Sequence, residues 1–280
     1  MTELLYIVWN PDLVAFHLGP LVIRWYSLCW LIGLAMAFYI VRWLCMDQKV
    51  SEEKFDPMFI YCFVGIIVGA RLGHCLFYEP QYYLSGWKEM VEMVLPVKAG
   101  SNGWHFTGYE GLASHGGTLG LMIGLWLYHR HSQLNLWQIL DNVAIATPAT
   151  ACMIRLGNLM NSEIIGRVTD VPWAFIFERV DHVPRHPGQL YEALAYAIFF
   201  FIGWHLYKRH KERVGTGFFF GLCLTLIFTS RFFIEFTKDI QVDFEAAMPL
   251  DMGQLLSLPF VVLGIACMAG GKWMKRLGAK

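Results

Sequence analysis

Trp25-Tyr26-Ser27-Leu28-Cys29-Trp30-Leu31-Ile32-Gly33-Leu34-Ala35-Met36-Ala37-Phe38-Tyr39-Ile40 runs on through Val41, Arg42 and Trp43 to Leu44 with Arg42 as its single charge. About 20 predominantly apolar residues is the length a helix needs to cross the hydrocarbon of a bilayer. Comparable runs recur at about 58–78, 112–129, 136–154, 190–207, 216–236 and 253–270. They predict an all-α, polytopic integral membrane protein with about seven spans and its termini on opposite sides. The 136–154 run carries Asp141, Asn142, Thr147 and Pro148, so its polar side must face protein or a wet cavity.

Composition agrees. Of 280 residues, 56% are hydrophobic and only 16% charged, with 22 Lys and Arg against 22 Asp and Glu, and the mean hydropathy is +0.44. A soluble domain carries about 25% charge. The absence of net positive charge removes the electrostatic case for a nucleic-acid partner. The seven cysteines show no CxxC spacing and fall in or beside apolar runs, which marks them as core fillers. Met1 to Leu13 holds no Lys or Arg, so the first run is expected to remain in the mature chain.

Sidedness is read from Lys and Arg, which collect in cytoplasmic loops. One set of loops holds twelve, clustered at Lys208–Arg213 and Lys272–Lys280, and the other holds eight. This places the N-terminus outside, the C-terminus inside, and the long loops of about 79–111 and 155–189 on the outer face.

Two arginines fall within runs. Arg231 has Glu235 four residues on, which suits a structural ion pair, snorkelling to the interface, or service to a ligand. Arg71 lies in Gly69-Ala70-Arg71-Leu72-Gly73, a helix-packing pattern that also suits an anionic headgroup. His115-Gly116-Gly117 opens the third run, where free N–H groups beside a titratable ring suit a phosphate or an oxyanion, or where the ring merely caps the helix. Arg155, Asn158 and Asn161 or Ser162 fall near i, i+3 and i+7, so a helix there would aim a guanidinium and an amide the same way. Pro184-Arg185-His186-Pro187-Gly188-Gln189-Leu190-Tyr191-Glu192 is a rigid entry into the fifth run. His182 and His186 lack a third ligand in register, and no metal is expected. No His-Glu-x-x-His, Gly-x-Ser-x-Gly or Walker loop occurs.

Together these motifs resemble the bacterial prolipoprotein diacylglyceryl transferases. The likeness runs through Ile23-Arg24-Trp25-Tyr26, Gly69–Gly73 with Phe77-Tyr78, His115-Gly116-Gly117, Arg155-Leu156-Gly157-Asn158 with Asn161, Glu163 and Gly166, Arg185–Glu192, Arg231 with Glu235, and Met252-Gly253-Gln254. Ile154, Leu159, Ile227, Lys238 and Asp239 depart from the family pattern. The resemblance implies one inner-membrane domain over 1–280 with a small periplasmic head. It implies transfer of the diacylglyceryl group of phosphatidylglycerol to the lipobox cysteine of a prolipoprotein signal peptide, with no cofactor. It makes His115, Arg155 and Arg231 the catalytic candidates, and Tyr26, Arg71, Asn158, Asn161, Glu163, Gly166 and Glu235 the substrate-binding ones. The competing expectation is a transporter or flippase for an anionic lipid or metabolite.

Overall fold

The computed structural model describes residues 6–19, 21–100, 103–106, 111–239 and 250–277. Lys280 and the side chains of Lys272, Lys275 and Arg276, which enter the sidedness argument, lie outside the described residues, as does part of the 79–111 loop. The structure is 68% helical. Its helices are α1 Trp25–Asp47, α2 Glu52–Phe77, α3 Pro80–Tyr83, α4 Trp87–Val94, α5 Ser114–Ser132, α6 Leu136–Asn161, α7 Gly188–Arg209, α8 Phe218–Glu235 and α9 Met252–Leu277. Six are long and apolar enough to cross a membrane: α1, α2, α6, α7, α8 and α9 up to Gly271. The seventh expected span is α5, which has 19 residues. His115 at one end and His129, Arg130 and His131 at the other dilute its apolar middle.

The run at 136–154 falls short of its helix. Asn135 starts α6 by accepting the N–H of Trp137 at 2.8 Å, and the helix continues to Asn161. Arg155, Asn158 and Asn161, expected in a loop, therefore occupy its last two turns. Short strands, invisible to a search for apolar runs, complete the architecture. β1 (Ile7–Trp9) pairs parallel with β6 (Phe175–Phe177), which pairs antiparallel with β7 (Pro184–Arg185). β2 (Val14–Leu18) pairs with β3 (Leu21–Arg24), and β4 (Val97–Gly100) with β5 (Gly103–Phe106).

Contacts divide the chain into two compact units, residues 1–44 with 140–280, and residues 45–139. In the first, Leu44, Ile145, Tyr207 and Phe219 form a buried cluster. Beside it the fully buried Asp141 accepts the N–H groups of Gly215, Gly217 and Phe220 at 2.9, 3.1 and 2.9 Å. The polar residue within the 136–154 run thus caps α8, satisfying donors its first turn leaves unpaired. α8 and α9 meet where Gly221 faces the Gly264 backbone, and the Phe228 and Phe260 rings stack at 4.4 Å. The three-stranded sheet buries Leu159, Phe175 and Phe177 with Trp9. Leu159, one of the departures, is therefore a packing residue, and the Trp9 indole donates to its carbonyl at 2.9 Å.

The second unit is built on a seam of glycines. Gly65, Gly69 and Gly73 on α2 and Gly116, Gly120 and Gly124 on α5 each recur every four residues, so each set lies on one face. A Cβ on Gly69 would strike the Gly116 carbonyl and come within 2.7 Å of the Gly120 Cα. One on Gly73 would lie 2.7 Å from the Gly116 Cα. Close backbone approach through small residues is how apolar helices associate without a hydrophobic driving force.

Candidate active site

In the first unit, the C-terminal ends of α6 and α8 and the N-terminal end of α7 carry a chain of alternating charges. Arg155 on α6 meets Glu192 on α7, Nε to Oε2, at 2.8 Å. The other oxygen of Glu192 accepts from Lys238 Nζ at 3.1 Å, and the same ammonium donates to Glu235 Oε2 at 3.0 Å. Glu192 is 0% exposed and Lys238 4%. Charges buried this deeply persist only when paired and hydrogen-bonded. A methyl on Gly253 would lie 2.5 Å from Glu235 Oε1, so the glycine opening α9 makes room for that carboxylate.

Asn158, one turn beyond Arg155, accepts from its Nη1 at 3.4 Å and donates to Glu163 Oε2 at 3.1 Å. Asn161 donates to Glu163 Oε1 at 3.0 Å. The i, i+3 spacing read from the sequence does aim guanidinium and amide together. Glu163 is presented by a strained turn: Ser162 and Ile164 both have φ of +56°. For a β-branched residue this conformation is an outlier costing about 1–3 kcal/mol. The backbone bonds Ser162 N to Leu159 O and Glu163 N to Asn158 O hold it, and the buried Gln189 amide donates to the Glu163 carbonyl.

Of the readings open for Arg231, the ion pair with Glu235 does not form among the described residues, where Lys238 pairs with that carboxylate. The Nε of Arg231 is buried with no hydrogen-bond partner among the described residues. Tyr196 on α7 is buried, and its surroundings include the charges of Glu192, Arg155 and Arg231.

The remaining candidates separate. Tyr26 lies against α6, with its Cδ2 3.1 Å from where a Gly157 Cβ would stand. Gly166 is wedged in the head: a Cβ would lie 2.5 Å from the His186 Cβ and from the carbonyls of His186 and Thr237, and its own carbonyl accepts from Arg185 at 3.2 Å. Arg185 ties the head together through Asp181 at 2.6 Å and Asp239 at 2.9 Å. Its hydrogen bond holds the Asp181 carboxyl below the usual range. His186 faces the Tyr191 hydroxyl at 3.0 Å, and burial pushes its imidazole below the ordinary value. Asp239, a departure from the family pattern, is thus a latch for Arg185.

His115 and Arg71 belong to the second unit. His115 is exposed at the start of α5. Gly116, which follows it, serves the seam with α2, and the Gly117 N–H bonds the Ala113 carbonyl at 3.0 Å. Arg71 is 7% exposed. It donates to the carbonyls of Glu92 at 2.7 Å and Met93 at 3.3 Å and to the Tyr83 hydroxyl at 3.2 Å. It thereby caps α4. Glu92 in turn accepts the Tyr82 hydroxyl and the Ala99 N–H, both at 2.8 Å. The carboxylate accepting its proton pushes the Tyr82 phenol up to about 12. Arg71 therefore has a structural job independent of any headgroup.

Sequence reasoning missed Glu192, Lys238, Gln189 and Tyr196. An acid one turn inside an apolar run is itself a signal, since ionisable groups there are costly and have a partner.

Residues 13–270 match the family model described as prolipoprotein diacylglyceryl transferase. The chain is 60% identical over 263 residues, 94% of each chain, to a Bacteroides fragilis protein named phosphatidylglycerol–prolipoprotein diacylglyceryl transferase. Proteins of the same name from Porphyromonas gingivalis and Tolumonas auensis are 43% and 41% identical, covering 95% and 93% of this chain and 94% and 95% of their own.

Proposed function

Because the chain belongs to the prolipoprotein diacylglyceryl transferase family, a family of multi-pass membrane proteins, we propose that it is the transferase that moves the diacylglyceryl group of phosphatidylglycerol onto the lipobox cysteine of a prolipoprotein. The cysteine thiolate displaces glycerol 1-phosphate at the glycerol carbon bearing the phosphodiester, and a thioether forms. The protein must stabilise a departing phosphate and take up the thiol proton. The observation that carries the reading is a pair of arginines on α6 and α8, one held by Glu192 and Asn158, the other with a buried Nε that no described residue satisfies. Preorganised donors of this kind stabilise charge as it develops.

Arg155 and Arg231 hold the phosphate. Asn158, Asn161 and Glu163 keep the Arg155 side of the site rigid, and Glu235 seats Lys238. Tyr26 packs beside them and Gly166 fixes the head. His115 accepts or relays the proton. Arg71 supports the fold of its own unit. The enzyme sits in the bacterial cytoplasmic membrane with its N-terminus and head outside. A transporter or flippase gains nothing from the geometry or the relatives.

The test is turnover in detergent. Purified protein, phosphatidylglycerol and a lipobox peptide should yield the thioether and glycerol 1-phosphate in equal amounts, read by mass spectrometry. Absence of thioether product from folded protein overturns the reading.

A further inference from the structure

Lys238 stands just past the end of α8, where the chain departs from its family's usual pattern, and it is the centre of the buried charge chain. Its ammonium lies between two carboxylates, at 3.1 Å from Glu192 and 3.0 Å from Glu235, and the side chain is 4% exposed. Glu192 is shared: Oε1 accepts from Lys238 at 3.1 Å, and Oε2 forms an ion pair with Arg155 Nε at 2.8 Å without hydrogen-bond geometry. The groups that face Glu192 are therefore Arg155 from α6, Tyr196 from its own helix, and Lys238. Arg155, Lys238, Glu192 and Glu235 balance two charges against two. Without the ammonium, Glu235 would lose its ion-pair partner and Glu192 would keep only one of the two contacts that fix it.

We propose that Lys238 is a positioning residue for diacylglyceryl transfer: it fixes Glu192, and through Glu192 it fixes the Nε edge of Arg155 against the departing phosphate. The inference rests on the proposed reaction. Its effect belongs in kcat, because orientation toward developing charge is what Lys238 secures, and small misplacement of a catalytic group costs up to about 10²-fold. The Arg167 side chain also reaches this corner, donating to the Lys238 carbonyl at 2.6 Å. That bond holds the backbone and leaves the ammonium to the carboxylates.

The experiment is a double-mutant cycle on the full-length enzyme in detergent, with phosphatidylglycerol and a lipobox peptide as substrates. Lys238→Met should lower kcat about tenfold or more with little change in the KM for lipid, and Lys238→Arg should recover most of it. Glu192→Gln should lower kcat further, and Lys238→Met combined with Glu192→Gln should be no slower than Glu192→Gln alone, because both act through one link. Lys238→Gln runs the same cycle beside Lys238→Met, so that one replacement that does not fold leaves the other to decide, and thermal unfolding reports folded protein in each case. An unchanged kcat in the Lys238 variants, or losses that multiply in the double variant, would overturn the proposal while wild-type turnover still upheld the reaction. No thioether from the wild type would instead sink the reaction itself.

Discussion

α2 and α8 each carry an arginine with buried donor atoms, and the two dispose of those donors in opposite ways. Arg71 spends three on carbonyls and a phenol of its own unit, closing the end of α4. Arg231 keeps a buried Nε with no acceptor among the described residues. An unmet buried donor costs about 1–3 kcal/mol. On the proposed reading, Arg71 holds the structure while Arg231 is kept for an anion. The same contrast separates the glycines. Those of the seam exist to bring two helices together, while Gly253 exists to admit a carboxylate.

The contrast breaks most sharply at His115 and Arg155, two of the three residues assigned to chemistry. His115→Gln should lose about 10²–10⁴ in kcat at pH 7 if the ring takes the thiol proton. It should recover partly above about pH 8.5, where the peptide thiol ionises unaided. A deficit that stays constant from about pH 7 to 9.5 would leave His115 a positioning role. Arg155→Ala should lose about 10²–10³ in kcat, and the loss should be flat with pH because a guanidinium does not titrate. A recovery at high pH would show that the arginine acts on the thiol and not on the phosphate.

Smaller effects sharpen the contrast. Arg231→Lys keeps the charge and loses the planar fork, so kcat should fall about 10–100-fold, the worth of one charged hydrogen bond. A lysine enzyme as fast as wild type would make the unmet Nε irrelevant. Arg71→Met should instead lower the melting temperature, with about 1–3 kcal/mol lost for the α4 carbonyls left unpaired, and activity should track the folded fraction. The smallest effect is expected at Asp181. Because Arg185 lowers its folded-state pKa, the bond stabilises the head above the ordinary carboxylate pKa of about 3.9 and fades as pH falls through the lowered value. Asp181→Asn should therefore melt below wild type at neutral pH and match it at strongly acid pH.

What was legible in the sequence follows from the range of each interaction. Apolar runs are local, so the long helices could be read, although the apolar window missed the charged first turn of α2 and the polar last turns of α6. The Arg155–Asn158 pairing was legible because it repeats at helical spacing. The parallel pairing of Ile7–Trp9 with Phe175–Phe177 was not, since three-residue strands far apart in the chain carry no periodic signal. Lys238 lies 46 residues from Glu192, and no local rule joins them. The Arg231–Glu235 spacing left an ion pair open for a related reason: the i, i+4 geometry was available, and nothing local showed that an ammonium from beyond the helix pairs with the carboxylate. The packing role of Gly116 was not legible, because a small residue in a helix's first turn suits a neighbouring backbone as well as an anion.

The cap on α8 bears on how the chain is made. Asp141 is synthesised 74 to 79 residues before the N–H groups it will accept. An ionisable side chain inside a span costs about 2.5–3.5 kcal/mol at insertion. During biogenesis α6 must therefore enter the bilayer carrying a debt that only the later arrival of α8 can discharge. Until then α6 is the least settled segment of the nascent protein, and a ribosome stalled between the two helices would leave in the membrane an intermediate marked by one unsatisfied carboxylate.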